Sequence, residues 1–190
     1  MSAEESLQVH AGTLLAAWPD LLDPNFMHRV VLVCQHSEEG AYGLVVNQST
    51  TFALKDLLPE HELLGSSEFP VHLGGPVDHS TMQFLHRAPD RIPGGLCLEG
   101  SIWLGGELDA MARFVHEAPD EASEKLRVLL GYSGWGAGQL EGELRANSWL
   151  PAPGSTDAVF GETGESCWRR VVRSVGPEGL VDESPDTSWN

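Results

Sequence analysis

The sequence is poor in cysteine and in positive charge. Its 190 residues include only three cysteines, Cys34, Cys97 and Cys167, which are odd in number and far apart. Neither a disulfide framework nor a C-x-x-C zinc site is therefore predicted. Eleven Lys and Arg residues stand against 28 Asp and Glu, which gives a formal net charge of -17. A field of this sign repels nucleic-acid phosphates and anionic membranes, so direct DNA binding would require a local basic patch.

The sequence also lacks a long apolar run and a secretory signal. No uninterrupted apolar stretch approaches the roughly 20 residues that a membrane span requires, and the start, MSAEESLQVHAG, is acidic and polar. The eight histidines form neither an H-x-x-x-H nor an H-E-x-x-H pattern, so no metal site is expected. No cofactor motif is present either. Because free thiols suit a reducing compartment, a soluble cytoplasmic protein is predicted.

Hydrophobic patterning favours an α+β fold. Two β-branched runs, Val30–Cys34 and Tyr42–Val46, flank the polar turn HSEEGA and predict a central hairpin. A helical pattern begins near Leu108 and ends before Pro119, and a second covers residues 165–175. Antiparallel strand groups alternate with helices, which favours an α+β fold, with a mixed, largely antiparallel sheet and helices packed on it, over a strict βαβ alternation. Residues 1–176 are expected to form one domain, followed by an acidic, disordered tail at 177–190.

The stretch GYSGWGAGQLEGEL, residues 131–144, is the richest in glycine. A strand at Leu126–Leu130 precedes it and a helix is predicted at about 138–146, so the glycines favour a sharp corner between them. A nucleophile elbow fits poorly, because Trp135 stands where the second glycine of G-x-S-x-G belongs. A phosphate loop fits poorly too, because the lysine is missing and Glu141 lies in the first helical turn.

A binding pocket is the alternative interpretation of this stretch. Uncharged hydrogen-bonding and aromatic groups around a helix start would suit a small neutral ligand or a peptide. The GGPV corner offers backbone N–H groups, and an asparagine ends the second apolar run, although turn formation is the simpler role for both. The candidate ligand-binding residues are Asn47, Gly74, Gly75, Tyr132, Ser133, Trp135 and Gln139.

No catalytic residue is assigned by the sequence. Ser133 as nucleophile, His86 as base and Asp23 to orient the base are the candidates, with Asp78 as an alternative to Asp23. They would have to converge within hydrogen-bond reach. Each also has a simple structural role. Arg169, Arg170 and Arg173 lie opposite the apolar stripe of the last helix. With Glu162 and Glu165 just before them, they give little support for DNA binding.

Several blocks resemble the YqgE/AlgH family of bacterial proteins. They are GTLLAAWP, DPNFMHRVVLVCQHSEEGAYGLVVNQ, VHLGGPV and, above all, GYSGWGAGQLEGELRANSWL, and the similarity extends from about Gly12 to Val175. The resemblance implies a compact α/β sandwich with no established enzymatic activity and no agreed cofactor. One branch of the family is named as a regulator of alginate transcription. The shared positions are Asp23, Pro24, Phe26, Gly43, Asn47, Gly74, Gly75, Pro76, His86, Gly131, Tyr132, Gly134, Trp135, Gln139, Leu140, Glu143 and Trp149.

The functional expectation combines this resemblance with the charge. An indirect regulator of transcription is predicted, which binds a protein partner or an uncharged small ligand rather than DNA. One alternative is a hydrolase or transferase with a pocket at the Tyr132–Gln139 loop. Another is a peptide-binding scaffold that uses an exposed Trp135 or Trp149, and exposure of those two indoles distinguishes it from the others.

Overall fold

The computed structural model describes residues 8–181, which contain ten strands and six α-helices. The strands are β1 Leu14–Ala17, β2 Val30–Ser37, β3 Gly40–Val45, β4 Ser49–Ala53, β5 Pro70–Leu73, β6 Val77–His86, β7 Leu96–Cys97, β8 Trp103–Leu104, β9 Leu126–Gly136 and β10 Trp149–Ala152. The helices are α1 Leu54–Leu57, α2 Leu108–Glu117, α3 Pro119–Lys125, α4 Gln139–Arg145, α5 Thr156–Phe160 and α6 Gly164–Val175.

Strand β9 lies at the centre of the sheet. The main order is β10-β1-β2-β3-β9-β6-β8-β7, and β4 and β5 join it through a parallel pairing of β5 with β9. The other pairings are antiparallel. The predicted α+β fold with a mixed, largely antiparallel sheet is therefore confirmed, as is the β2–β3 hairpin.

Two hydrophobic cores pack on opposite faces of β9. Successive side chains of a strand point to opposite faces, and Val128 belongs to one core while Leu129 belongs to the other. The first core joins β1, β2 and β3 to α5 and α6, and the second joins β5 to α2 and α3. The faces of β9 are thus covered by different helices.

The predicted amphipathic helix is confirmed as α2, with Met111, Ala112 and Val115 buried, although Leu108 at its start remains 39% exposed. Pro119 does end this helix, but it also begins α3, which the sequence patterning missed. Proline is well tolerated in the first turn of a helix, because its missing N–H would have no intrahelical partner there. Proline therefore marks a boundary between two helices here.

The predicted glycine corner is wrong. The strand expected at Leu126–Leu130 continues through Gly136, and its last four residues pair with Gly40–Gly43 of β3. The chain turns later, at Ala137–Gly138, where Gly138 has a φ of 72°, and α4 follows as predicted. Of the glycines in β9, Gly131 is approached closely by the backbone of Gly75 and Val77, where a Cβ would lie 2.7 and 2.9 Å from their carbonyl oxygens.

The end of the chain follows the predicted pattern up to α6, where Trp168, Val171 and Val172 are buried. Leu180 and Val181 also pack against the first core. The rest of the predicted tail, residues 182–190, lies outside the described residues. All three cysteines are free thiols, with Cys34 and Cys167 buried and Cys97 exposed. In residues 8–181 no helix is long and apolar enough to cross a membrane.

Candidate functional site

The GGPV segment, residues 74–77, crosses β9 with its backbone in direct contact with the backbone of β9. A Cβ on Gly75, whose φ is 153°, would lie 2.2 Å from the Tyr132 carbonyl carbon, and one on Gly74 would lie 2.5 Å from the Gly131 oxygen. The Gly74 N–H donates to the Leu130 carbonyl at 2.7 Å, and its own carbonyl accepts from the Val45 N–H at 2.7 Å. Of these two predicted ligand-binding residues, Gly74 therefore joins β3 to β9 through its backbone, and Gly75 packs directly on β9.

Ser133 lies at this crossing and is fully buried. Its hydroxyl donates to the Gly74 carbonyl at 3.4 Å. The side chain is packed between strands, where no substrate has access, so its geometry fits a structural role and not that of a nucleophile.

His86 is equally buried, at the opposite end of β9. Its Nδ1 accepts from the Ala88 N–H at 3.2 Å, and its Nε2 donates to the Gly105 carbonyl at 3.0 Å. Burial lowers the pKa of the ring and so favours the neutral form. Both nitrogens hold local backbone, and neither faces a cavity.

The three catalytic candidates are not brought together. His86 pairs with Leu126 across the sheet, and Ser133 lies seven residues further along β9, a separation of roughly 20 Å at the rise of a strand. Asp23 lies in an exposed loop, where its carboxylate accepts from the Asn25 N–H at 2.8 Å. The geometric condition stated for a hydrolase with these residues is not met.

Asn47 uses its whole side chain to connect separate segments. Its Oδ1 accepts from the Val30 N–H at 2.9 Å, and its Nδ2 donates to the carbonyls of His28 and Gly164 at 3.0 and 2.8 Å. The residue is fully buried, so no hydrogen-bonding capacity of the amide is directed to a ligand.

Glu143 connects several side chains of the signature block, the stretch GYSGWGAGQLEGELRANSWL at residues 131–150. One of its oxygens, Oε2, accepts from the indole N–H groups of Trp135 and Trp149 at 2.8 and 2.7 Å. The other, Oε1, accepts from the Gln139 amide at 3.1 Å, and Gln139 in turn accepts from the Gly136 N–H at 3.0 Å. The two indoles are only 6% and 4% exposed. The shared tryptophans thus fix α4 against the sheet, and Trp135 and Gln139 are internally satisfied.

Glu141 has a partner that the sequence did not predict. Its Oε1 lies 2.6 Å from Nε2 of His36, while Nδ1 of His36 lies 2.9 Å from the Val9 carbonyl. Since both ring nitrogens face acceptors, the protonated imidazolium is the form that satisfies them. The Glu141 hydrogen bond, together with that of Val9, raises the pKa of His36, and the same contact with His36 lowers the pKa of Glu141. The pair connects the N-terminal segment, β2 and α4.

Raising the pH is expected to lower the free energy of unfolding through His36. Because its pKa in the folded state is above the ordinary 6.5, the contribution is fully present below about pH 6.5 and is lost as the pH rises through the folded pKa. The loss is at most about 1 kcal/mol, since the pair is partly exposed. Urea unfolding from about pH 6 to about pH 9 measures it. His36→Gln should remove this step, whereas the exposed control His116→Gln should keep it; an unchanged step in His36→Gln would contradict the assignment.

A buried pair of titratable side chains, Arg127 and His72, lies at the end of α5. The guanidinium of Arg127 donates to the carbonyls of Val159 and Gly161 at 3.0 and 2.9 Å and to Nε2 of His72 at 2.9 Å. Burial, with the charge of Arg127, lowers the pKa of His72 to about 4. A cation is stabilised at a helix C-terminus, so Arg127 serves to dock α5 on the sheet.

A shallow cleft opens where the β2–β3 hairpin meets β9. Its volume is about 220 Å³, and its lining includes Gln35, Ser37, Glu39, Tyr42 and Trp135. Gln35 and Tyr42 are paired across the strands, and the Tyr42 ring packs against Tyr132 with centroids 5.5 Å apart. Tyr132 therefore contacts the cleft only through the Tyr42 ring. Sequence reasoning placed Tyr132 near the site but missed Gln35 and Tyr42, because the hairpin gave no functional signal.

Two arginines of α6, Arg169 and Arg170, have acidic partners. Arg170 contacts Glu162 at 2.6 Å, and the Nε of Arg169 donates to Glu165 at 2.9 Å. These contacts reduce the positive potential of the helix, as expected from the sequence. Among residues 8–181 no group of three or more His, Cys, Asp or Glu side chains is arranged to hold a metal ion.

The fold and the site together define an α+β protein whose glycine-rich block is a structural element beside an open, aromatic and polar cleft. The chain belongs to the AlgH-like family: the family model DUF179, described as AlgH-like, matches residues 14–179. Two relatives, both called UPF0301 proteins, support this. One from Chlorobium limicola is 36% identical over 180 residues, covering 94% of each chain. One from Chlorobaculum tepidum is 38% identical over 176 residues, covering 92% of each chain.

Two solved structures are similar. The AlgH protein from Pseudomonas aeruginosa has a TM-score of 0.70 at 28% identity, covering 93% of this chain and 94% of that one. A protein from Corynebacterium diphtheriae has a TM-score of 0.72 at 20% identity, covering 91% and 90%. The second similarity concerns the fold alone. The first agrees with the family expected from the signature block.

Proposed function

We propose that this protein is a cytoplasmic, indirect regulator of transcription, which acts by binding a protein partner or an uncharged small ligand at the Gln35–Tyr42 cleft. The observation that carries the proposal is that polar side chains singled out from the sequence are already hydrogen-bonded within the chain. Ser133, Asn47, Gln139 and Glu143 are all engaged in contacts within the chain, whereas the cleft beside them is open.

The charge of the molecule supports an indirect role. A net charge of -17 opposes contact with DNA, and Arg169 and Arg170 pair with glutamates. Three free thiols fit a reducing compartment. A hydrolase or transferase at the Tyr132–Gln139 loop lacks converging groups, so no specific observation favours it.

The residues that could bind a partner differ from the two tryptophans that the sequence suggested. A scaffold that recognises peptides through Trp135 or Trp149 requires exposed indoles, and both are buried on Glu143. Gln35, by contrast, is exposed and lines the cleft next to Tyr42. An aromatic ring beside an amide gives apolar contact and hydrogen bonding together, as ligand sites require.

The proposal is tested by blocking the cleft. Gln35→Arg places a bulky side chain in it, and Ser123→Arg adds the same charge at an exposed position of α3. Proteins and small molecules that co-purify with the wild type from cytosol are compared by mass spectrometry. We expect at least a tenfold loss with Gln35→Arg and none with Ser123→Arg. Equal recovery with both variants contradicts the proposal.

DNA binding is measured in parallel. Fluorescence anisotropy at about 150 mM salt, where non-specific attraction is screened, should show no sequence-selective binding. Nanomolar, sequence-selective affinity of the purified protein would replace the indirect role with a direct one.

A further inference from the structure

Two glycines of β9 differ from the other glycines around them. A Cβ on Gly43, Gly74, Gly75 or Gly131 would meet other atoms of the chain within 3 Å. Gly134 and Gly136 are exposed, and their nearest neighbours would be the Tyr132 ring at 3.6 Å and the Gln139 side chain at 4.0 Å. Neither has a positive φ. Glycine weakens a strand by roughly 0.5–1 kcal/mol relative to alanine, and internal packing gives no reason for it at these two positions.

The backbone of Gly134 faces an open edge. In an antiparallel pair, hydrogen-bonded and non-bonded positions alternate. Val45 of β3 donates towards β9, to the Gly74 carbonyl, so Gly43 with Ser133 and Ala41 with Trp135 are the bonded pairs of the register. Gly134 and Gly136 therefore point away from β3, and the Gly136 N–H does reach Gln139 on that side.

On that side the neighbouring strand ends early. The pairing of β6 with β9 stops at Val77 opposite Tyr132, and the residue before Val77 is a proline, which has no N–H. Within residues 8–181 no other strand pairs with Gly134. The N–H and carbonyl of Gly134 thus remain available at a bare segment, and a bare strand glycine is where another backbone can approach closely.

The surroundings indicate which kind of segment fits. Val77 is 40% exposed at the start of the open edge, and next to it the exposed Asp78 has its carboxylate oriented by the hydroxyls of Ser80 and Thr81, each at 2.5 Å. The chain as a whole carries a charge of -17. Charge complementarity therefore favours a basic segment over an acidic one.

We propose that the open edge of β9 at Ser133–Gly136 binds an extended, positively charged segment of a partner protein as an added strand. Main-chain hydrogen bonds to Gly134 supply the attraction, and a Lys or Arg of the segment lies near Asp78. Strand addition of this kind is a recurrent mode of peptide recognition. The inference rests on the proposed function and names the chemistry of the partner.

Amide hydrogen exchange followed by NMR tests the edge without any substitution. The probe is a ten-residue peptide that alternates valine and lysine, and the control peptide alternates valine and glutamate. In the free protein the Gly134 amide should exchange faster than those of Ser133 and Trp135. The lysine peptide should slow it about tenfold, with shifts confined to residues 132–136 and 77–78. No effect at Gly134 up to about 2 mM lysine peptide, or an equal effect of the glutamate peptide, overturns the proposal.

Variants separate this inference from the proposed function. Asp78→Asn should weaken binding of the lysine peptide several-fold, and the exposed control Asp90→Asn should not. Gly134→Pro removes the outward N–H and adds a ring at an exposed position, and it should abolish the shifts that the lysine peptide causes at residues 77–78. If cytosolic partners are lost with Gln35→Arg but fully retained by a folded Gly134→Pro variant, strand addition is wrong while the proposed function stands. If neither variant loses them, the proposed function itself fails.

Discussion

Gly75→Ala is expected to prevent folding or to lower the free energy of unfolding by more than about 4 kcal/mol. The added Cβ would lie 2.2 Å from both the carbonyl carbon and the oxygen of Tyr132, and 2.5 Å from the Ser133 hydroxyl. These are backbone atoms and a fully buried side chain, so relieving the clash requires the segment that contains Gly75 to move away from β9. The φ of 153° adds conformational strain for any residue with a side chain.

The matched control is Gly138→Ala. Gly138 also has a positive φ, 72°, but a Cβ there would meet nothing within 4 Å. Its substitution should cost only about 1 kcal/mol, the conformational penalty alone. Soluble yield and urea unfolding of the two variants measure the difference. A stable, soluble Gly75→Ala protein with a stability close to that of Gly138→Ala would show that the crossing of these chains is looser than described.

Glu143→Ala should lower the free energy of unfolding by about 2–4 kcal/mol. The carboxylate accepts from the indoles of Trp135 and Trp149, and each buried donor left without an acceptor costs about 1–3 kcal/mol. Urea unfolding followed by tryptophan fluorescence measures the effect. The emission should also move to longer wavelength in the variant, because water reaches the indoles.

Glu143→Gln separates the hydrogen bonds from the charge. An amide oxygen can still accept from both indoles, while its NH₂ group would face the Gln139 amide, which now donates to Glu143. The loss should therefore be smaller, about 1 kcal/mol, and the exposed control Glu38→Gln should be neutral. A Glu143→Ala variant within about 0.5 kcal/mol of the wild type would contradict the structural role.

The parts of the fold that could be predicted are those specified locally. The hairpin of β2 and β3 follows from two apolar runs joined by a short polar turn, and α2 follows from its apolar spacing. In β9, by contrast, the local preference of glycine for turns was misleading. Gly131 and its neighbours serve close approaches to Gly74 and Gly75, which lie more than 50 positions earlier in the chain, and no periodicity within β9 reports that contact.

The candidate site, like the fold, could be predicted only in part. Trp135, Gln139, Glu143 and Trp149 could be selected from the signature block, but their mutual contacts could not. Their spacing crosses a strand, a helix and a second strand, so only the tertiary structure reveals that one carboxylate serves both indoles. Gln35 and Tyr42 line the cleft because the hairpin of β2 and β3 lies beside β9. An exposed glutamine in a hairpin has no sequence pattern that indicates a function.

The pairing of β1 with β10 has a consequence for how the chain is made. Leu14 lies opposite Ala152, so β1 completes its ladder only after about 140 further residues have been synthesised. Contacts so distant along the chain slow folding, because the entropy of closing the loop precedes the gain from pairing. Until Trp149–Ala152 emerge, the nascent protein presents one edge of β1 unpaired, and its carboxyl-terminal third completes the sheet that its first strand begins.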